Sequence, residues 1–325
     1  MLASKISSLI NPYFAPRVNG RVIDFTDEQD IELATNLEQH VRKLVQFERY
    51  IGNQKGLDAA GDYIKERWES MGLKVEEPTN FRGPQNHPKF PDDSTIYRNL
   101  VVSFGPKNGR RIILGAHYDV EGKNNPGADD NGSGAAGLIE ATRILKKLNL
   151  KLKRRIDMVA FTTEEEPYYH TELMGSAVYA RFLKKNRIPV DGAVILEMIG
   201  YFSDKPDSQR WPVEIVKHLL PTTGNFIQVV GNGRSAKLVA EIGESIKENS
   251  KLPVECVSLP FLFSLLPDTN RSDHVNFIPG VMVTDTADFR YDYYHDKEDL
   301  PDRLDYKSMA EVVKGVCGGL VNLAS

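Results

Sequence analysis

The chain carries its densest chemistry in GAHYDVEGKNNPGADDNGSGAAG, residues 115–137, where one histidine and four carboxylates share 23 positions with six glycines. Crowded carboxylates repel one another and glycine loses the most freedom on ordering, so a folded loop of this kind needs a counter-charge. Five segments offer polar donors of the same types: AHYD (116–119), GADDNGSG (127–134), TTEEE (162–166), LEMIG (196–200) and YYHDKED (293–299). Imidazole plus carboxylate without thiolate is the donor set of a catalytic zinc centre, or of manganese or cobalt in its place. Two histidines and about three carboxylates suffice for two ions.

Taken singly, each segment has an ordinary reading. An acid triplet commonly opens a solvated helix, and Asp, Asn and Gly make turns. DDNG also lacks the alternating acids and closing Glu of a calcium loop. His40, His87 and His218 read as ordinary core or surface residues. Position outweighs these readings, because separate strands would deliver all five segments to one edge.

The elements behind them follow from periodicity. Residues 29–50 and 56–72 place apolar side chains at helical spacing. LVVSF (100–104), RRIILGA (110–116), RRIDMVAFT (154–162), GAVILEMIG (192–200), FIQVVGN (226–232) and VMVTDT (281–286) are nearly continuous apolar runs, the pattern of strands buried on both faces. Amphipathic helices over 132–149, 172–186, 234–248 and 306–323 alternate with them. The expectation is an α/β fold of three layers, a central, mainly parallel (mixed) sheet flanked by helices, with ligands outside the carboxyl ends of its strands. Residues 79–97 and 201–224 read as surface loops. No repeat or long linker divides the chain, so one catalytic domain over 1–325 is expected, residues 1–30 forming a helical or extended N-terminal extension.

At 325 residues, 26% charged and 41% hydrophobic, with a net charge of −4, the chain has the composition of a globular protein. It has no basic stripe interleaved with aromatics, which argues against a nucleic-acid partner. No run approaches the roughly 20 apolar residues that cross a bilayer, which argues against a membrane one. MLASKISSLINPYFAPRVNG shows no clear cleavage site, so the chain as written reads as cytoplasmic, or as secreted or periplasmic if a leader has been removed. Cys256 and Cys317 read as two buried thiols.

The motifs HYD, PGADDNGSG, EE…MGS, LEMIGY, RSDHVNF and YYH…D.PD.LDY, in this order, resemble those of the co-catalytic zinc exopeptidases of clan MH, the family of bacterial leucyl aminopeptidase and aminopeptidase Y. The resemblance spans roughly residues 55–323. It implies that His117, Asp129 and Glu197 hold one zinc and that Asp129, Glu165 and His295 hold a second, with Asp129 bridging. It further implies Glu164 as general base and Asp119 as the residue orienting His117. Aligning the EEE triplet on MGS sets this register; a shift by one is the alternative. The family's best-known members carry Asp where this chain has Glu197. Family members also often hold the bond after the bridging aspartate cis, which here implies a cis Asp129–Asp130 bond.

On that resemblance, two zinc ions would lower the pKa of a shared water and polarise a scissile carbonyl, and Glu164 would carry the proton to the leaving amine. Gly132, Gly134 and Gly137 would let the following helix approach the sheet. The implied function is an aminopeptidase releasing N-terminal residues from peptide substrates. A carboxypeptidase would need Arg271 or Arg290 to grip a carboxylate; a glutaminyl cyclase would use one zinc; a non-catalytic binding domain would have lost ligands. His170 is read as a pocket-wall residue and His274 as structural. Tyr168, Tyr169, Tyr291, Tyr293 and Tyr294 are read as core packing, a specificity pocket or an aid to oxyanion binding. No G-x-S-x-G elbow follows a strand, which argues against a serine hydrolase.

Overall fold

The computed structural model describes residues 22–87, 89–90, 92–211, 220–259 and 271–325. His218 and most of the expected N-terminal extension lie outside them. Helix α1 (Asp27–Leu44) starts at a capping box in which Thr26 and Gln29 exchange hydrogen bonds, with Asp27, Glu28 and Asp30 in the first turn and Arg42 and Lys43 in the last. Both ends thus suit the helix dipole. Its buried residues Leu33, Leu37, His40, Val41 and Leu44 recur at helical spacing. Helix α2 spans Gln54–Ser70, α3 Gly134–Leu148, α4 Gly175–Lys185, α5 Ala236–Asn249 and α6 Tyr306–Ala324.

A small antiparallel pair, β1 (Phe81–Arg82) and β2 (Ile96–Tyr97), interrupts the segment expected to be loop. The main sheet holds β3 (Leu100–Phe104), β4 (Arg111–His117), β5 (Arg155–Phe161), β6 (Val190–Leu196), β7 (Ile227–Asn232), β8 (Val254–Leu259) and β9 (Gly280–Thr284). Their order is β3-β5-β4-β6-β9-β7-β8. The pairs β3/β5 and β7/β9 are antiparallel and the other four are parallel, the mixed, mainly parallel sheet expected. Strand β8, VECVSL, is the one main-sheet strand that periodicity missed, because a glutamate and a serine break its apolar run.

Alternate residues of each strand serve opposite faces. Leu114, Ala116, Met158, Ala160, Val194, Leu196, Val281 and Val283 join the larger core with α1, α2, α3, α5 and α6. Ile113, Val159, Phe161, Ala193 and Ile195 pack with Tyr179 and Leu183 of α4 and with Phe277. Three layers result. Because β5, β4, β6 and β9 are parallel neighbours, their carboxyl ends form one edge, and His117, Thr162, Glu197 and Asp285 leave the sheet there. No described helix is long and apolar enough to cross a membrane. Cys256 is half-buried, Cys317 is buried, and both are free.

Candidate metal centre

His117, the last residue of β4, is wholly buried. Its Nε2 lies 3.3 Å from Glu197 Oε2, 3.4 Å from Asp130 Oδ1 and 3.9 Å from Glu164 Oε2. His295, in the loop after β9, places Nε2 3.0 Å from Asp130 Oδ2 and 3.4 Å from Glu165 Oε2. The Asp130 carboxylate therefore stands between the two imidazoles, one oxygen toward each. The structure brings together five of the seven residues singled out by sequence, His117, Glu164, Glu165, Glu197 and His295, with Asp119 behind them.

Asp129 is the exception: the carboxylate that stands between the two histidines is that of Asp130, not of Asp129 as expected. Asp129 Oδ1 accepts a hydrogen bond from Gly200 N at 2.9 Å, so its side chain faces away from both histidines. Its neighbour Asp130 is turned inward because Asp299 accepts the main-chain N–H of both residues, Asp129 N at 2.9 Å and Asp130 N at 3.1 Å. The cis bond likewise lies between Asp130 and Asn131, one position beyond the expectation. Asn131 then pins the loop to β6, donating to Leu196 O and accepting from Met198 N and Gly134 N. A Cβ on Gly134 would lie 2.6 Å from Leu196 O, so glycine lets α3 start this close to the sheet.

Asp119 does more than the sequence implies. Its Oδ1 lies 3.5 Å from His117 Nδ1, and its two oxygens also accept Glu164 N at 3.2 Å and Glu165 N at 3.1 Å. One buried carboxylate thus sets a histidine and two neighbouring glutamates. Sequence reading also missed Ser272, whose hydroxyl donates to Glu197 Oε2 at 2.6 Å, and Arg49, wholly buried behind the loop. Asp299 was quoted in a motif but given no part; the N–H groups it holds were invisible in sequence.

Of the remaining residues, His40 bonds Tyr63 and Glu140 in the core, His170 is exposed and His274 is buried. Arg290 is buried and committed to Gln209 and Phe226 O, and Arg271 pairs with Asp288 at 2.6 Å. Tyr168 is buried and bonds Asp93; Tyr291 is buried and donates to Asp299 at 2.9 Å. Tyr293 packs under Arg303, and Tyr169 is half-buried. Tyr294 stacks on His295 and, with Met198, Met282, Phe289 and Arg271, lines a cavity that includes Glu197.

Charge in this cluster is unbalanced. Burial pushes Glu165 up to about 8 and Asp299 to about 7, and raises Glu164 and Asp129. Burial acts against the charged form of His295 too, yet the carboxylates of Asp130 and Glu165 beside it push it up to about 11. Asp130 resists burial through His117 and His295 and stays well below the usual carboxylate range. The acids thus draw on the two imidazoles for counter-charge, the electrostatic demand a metal ion meets. Buried Asp130 Oδ1, Glu165 Oε1 and His295 Nε2 make no hydrogen bond among the described residues. Donor atoms of His117, Asp130 and Glu197 lie within 4.8 Å of one another, as do those of His117, Glu164 and Glu165, and those of Glu121, Glu165 and His295. Orphaned donors, thiolate-free chemistry and clustering all fit metal.

Residues 99–318 match the model of Peptidase family M28. The chain belongs to that family. It is 36% identical over 299 residues to uncharacterized protein YfbL of Escherichia coli (strain K12), covering 88% of this chain and 87% of that one. It is 23% identical over 305 residues to a probable leucine aminopeptidase of Arthroderma otae, covering 89% and 72%. Among solved structures, Legionella pneumophila LapA aminopeptidase aligns with a TM-score of 0.68 at 20% identity over 96% of this chain and 78% of that one. Porphyromonas gingivalis glutaminyl cyclase aligns at 0.65 and 21% over 88% and 97%. These structural likenesses establish the fold. Family M28 membership agrees with the clan MH resemblance, and it makes the chain a peptidase-type hydrolase with zinc as the implied metal.

Proposed function

We propose that this M28 member is a di-zinc aminopeptidase. His117, Asp130 and Glu197 would hold one ion and Asp130, Glu165 and His295 the other. The observation that carries this reading is the Asp130 carboxylate, 3.4 Å from His117 and 3.0 Å from His295. Bound there, a pair of cations supplies a low-pKa water and polarisation of the scissile carbonyl.

The chain's own residues do the rest. Glu164 holds its backbone on Asp119 and points its carboxylate toward His117, uncommitted to any other side chain at bonding distance among the described residues. It takes the proton of the attacking water and returns it to the leaving amine, a transfer contributing about 10²–10⁴-fold. Asp119 orients His117, and Ser272 fixes the longer arm of Glu197. The cavity beside Glu197, walled by Met198, Met282 and Phe289 on one hand and by Gln228, Thr284 and Arg271 on the other, receives the substrate side chain.

Release from the amino end is favoured over release from the carboxyl end because Arg290 is buried inside the fold and Arg271 is paired with Asp288. Neither is a free fork for a substrate carboxylate. Two histidines around one carboxylate also favour a two-ion centre over the one-zinc cyclase. The test is a panel of aminoacyl anilides set against N-blocked dipeptides. Cleavage of the former alone supports the reading; cleavage of the latter alone, or of neither by zinc-loaded protein, overturns it.

A further inference from the structure

Arg49 precedes the family-matched region, residues 99–318, by fifty positions, yet it touches the centre's scaffold from below. Its guanidinium is fully buried, an arrangement that is costly unless its donors are met; Nε makes no hydrogen bond among the described residues, and both terminal nitrogens do. Nη1 donates to Pro126 O at 2.6 Å and to Leu44 O, at the end of α1, at 3.3 Å; Nη2 donates to Gly127 O at 2.5 Å. The main chain of the same residue grips the other side of the loop, since Arg49 O accepts Val120 N at 3.2 Å and Tyr50 forms a parallel bridge with Val120. Residues 120 and 127 bound the excursion that separates His117 and Asp119 from Asp129 and Asp130. One residue therefore clips both ends of it.

Gly127 shows how close the fit is. It sits at φ +60°, and a Cβ there would lie 2.3 Å from Asp130 O and 2.8 Å from Arg49 Nη2. The loop has room for the guanidinium and for nothing larger than hydrogen at that position. Asp299, Asp130, Asp119 and Glu165 all face Arg49 electrostatically, while burial lowers its pKa to about 10.

We infer that Arg49 is a positioning residue for metal binding, a lock that holds the His117–Asp119 and Asp129–Asp130 segments at the spacing the two ions require. The inference rests on the di-zinc reading above. Two effects of Arg49 oppose each other. Its charge repels cations, so losing the charge alone would tighten zinc binding; its bonds preorganise the loop, so losing them weakens it. The lock requires the second effect to win, and residues that support ligands in this way commonly change metal affinity about 10–100-fold.

The experiment measures zinc affinity and stoichiometry by chelator competition in the full chain, for wild type, Arg49→Lys, Arg49→Met and Gly127→Ala, with near-ultraviolet circular dichroism of the zinc-free proteins as the check on folding. Lysine keeps the charge without the fork, methionine removes both, and Gly127→Ala disturbs the fit from the loop side with Arg49 intact. Weakening of about tenfold or more in every variant that folds supports the lock. Affinity equal to wild type, or tighter in Arg49→Met, overturns it. Should Arg49→Met fail to fold, Arg49→Lys decides in the same terms. Absence of zinc from wild type overturns the di-zinc reading itself, an outcome separate from equal affinities.

Discussion

The two halves of the centre are built differently. Around His117 everything is sealed: the ring is 0% exposed, Glu197 7% and Glu164 5%. Around His295 the site opens, with that side chain 27% exposed and neighbouring Glu121 35% exposed. The sealed half is carried by the ends of β4, β5 and β6, whose spacing the sheet ladders fix. The open half hangs on the loop after β9, with Asp299 and Tyr291 as the props that join it to the Asp129–Asp130 turn. On the proposed reading, Glu164, the proton carrier, sits in the sealed half, and the His295 half is the one more open to solvent.

The sharpest way to break this contrast is chemical. Glu164→Gln keeps the shape of the sealed half and removes its proton carrier, so kcat should fall about 10²–10⁴-fold while zinc content stays at the wild-type level. Loss of zinc together with activity would make Glu164 a ligand and restore the alternative register of the acid triplet.

Next in size is the difference between the histidines. His295→Ala should release one ion and retain the other, because the sealed half keeps His117, Glu197 and Asp130. His117→Ala should release both, since its ring leans on Asp119, which also holds the main chain of Glu164 and Glu165. Metal analysis after gel filtration compares them; equal losses would erase the asymmetry. The smallest effects come from the props. Ser272→Ala should weaken the sealed ion about 10–100-fold, with Ser272→Thr restoring it. Tyr291→Phe should cost about 0.5–1.5 kcal/mol of stability in denaturant unfolding, with little change at the sealed ion.

Most of the sheet and its helices are legible in the sequence because a strand buried on both faces writes itself as a continuous apolar run, as in RRIILGA. Three of the five donor segments, AHYD, TTEEE and LEMIG, are legible for the same reason: each ends or directly follows such a run. What could not be read is which of two adjacent acids faces inward. Asp129 and Asp130 are chemically identical, and the choice is made by Asp299, 169 residues beyond Asp130, whose carboxylate captures both main-chain N–H groups. Ser272, inside the quoted motif RSDHVNF, and Arg49 were given no part because a hydroxyl or a guanidinium acquires its role from contacts across the fold.

The most direct test of the account is therefore zinc stoichiometry in Asp130→Asn beside Asp129→Asn. If a single carboxylate joins both halves, the first variant loses both ions and the second keeps two. Zinc retained by Asp130→Asn and lost from Asp129→Asn would contradict the account.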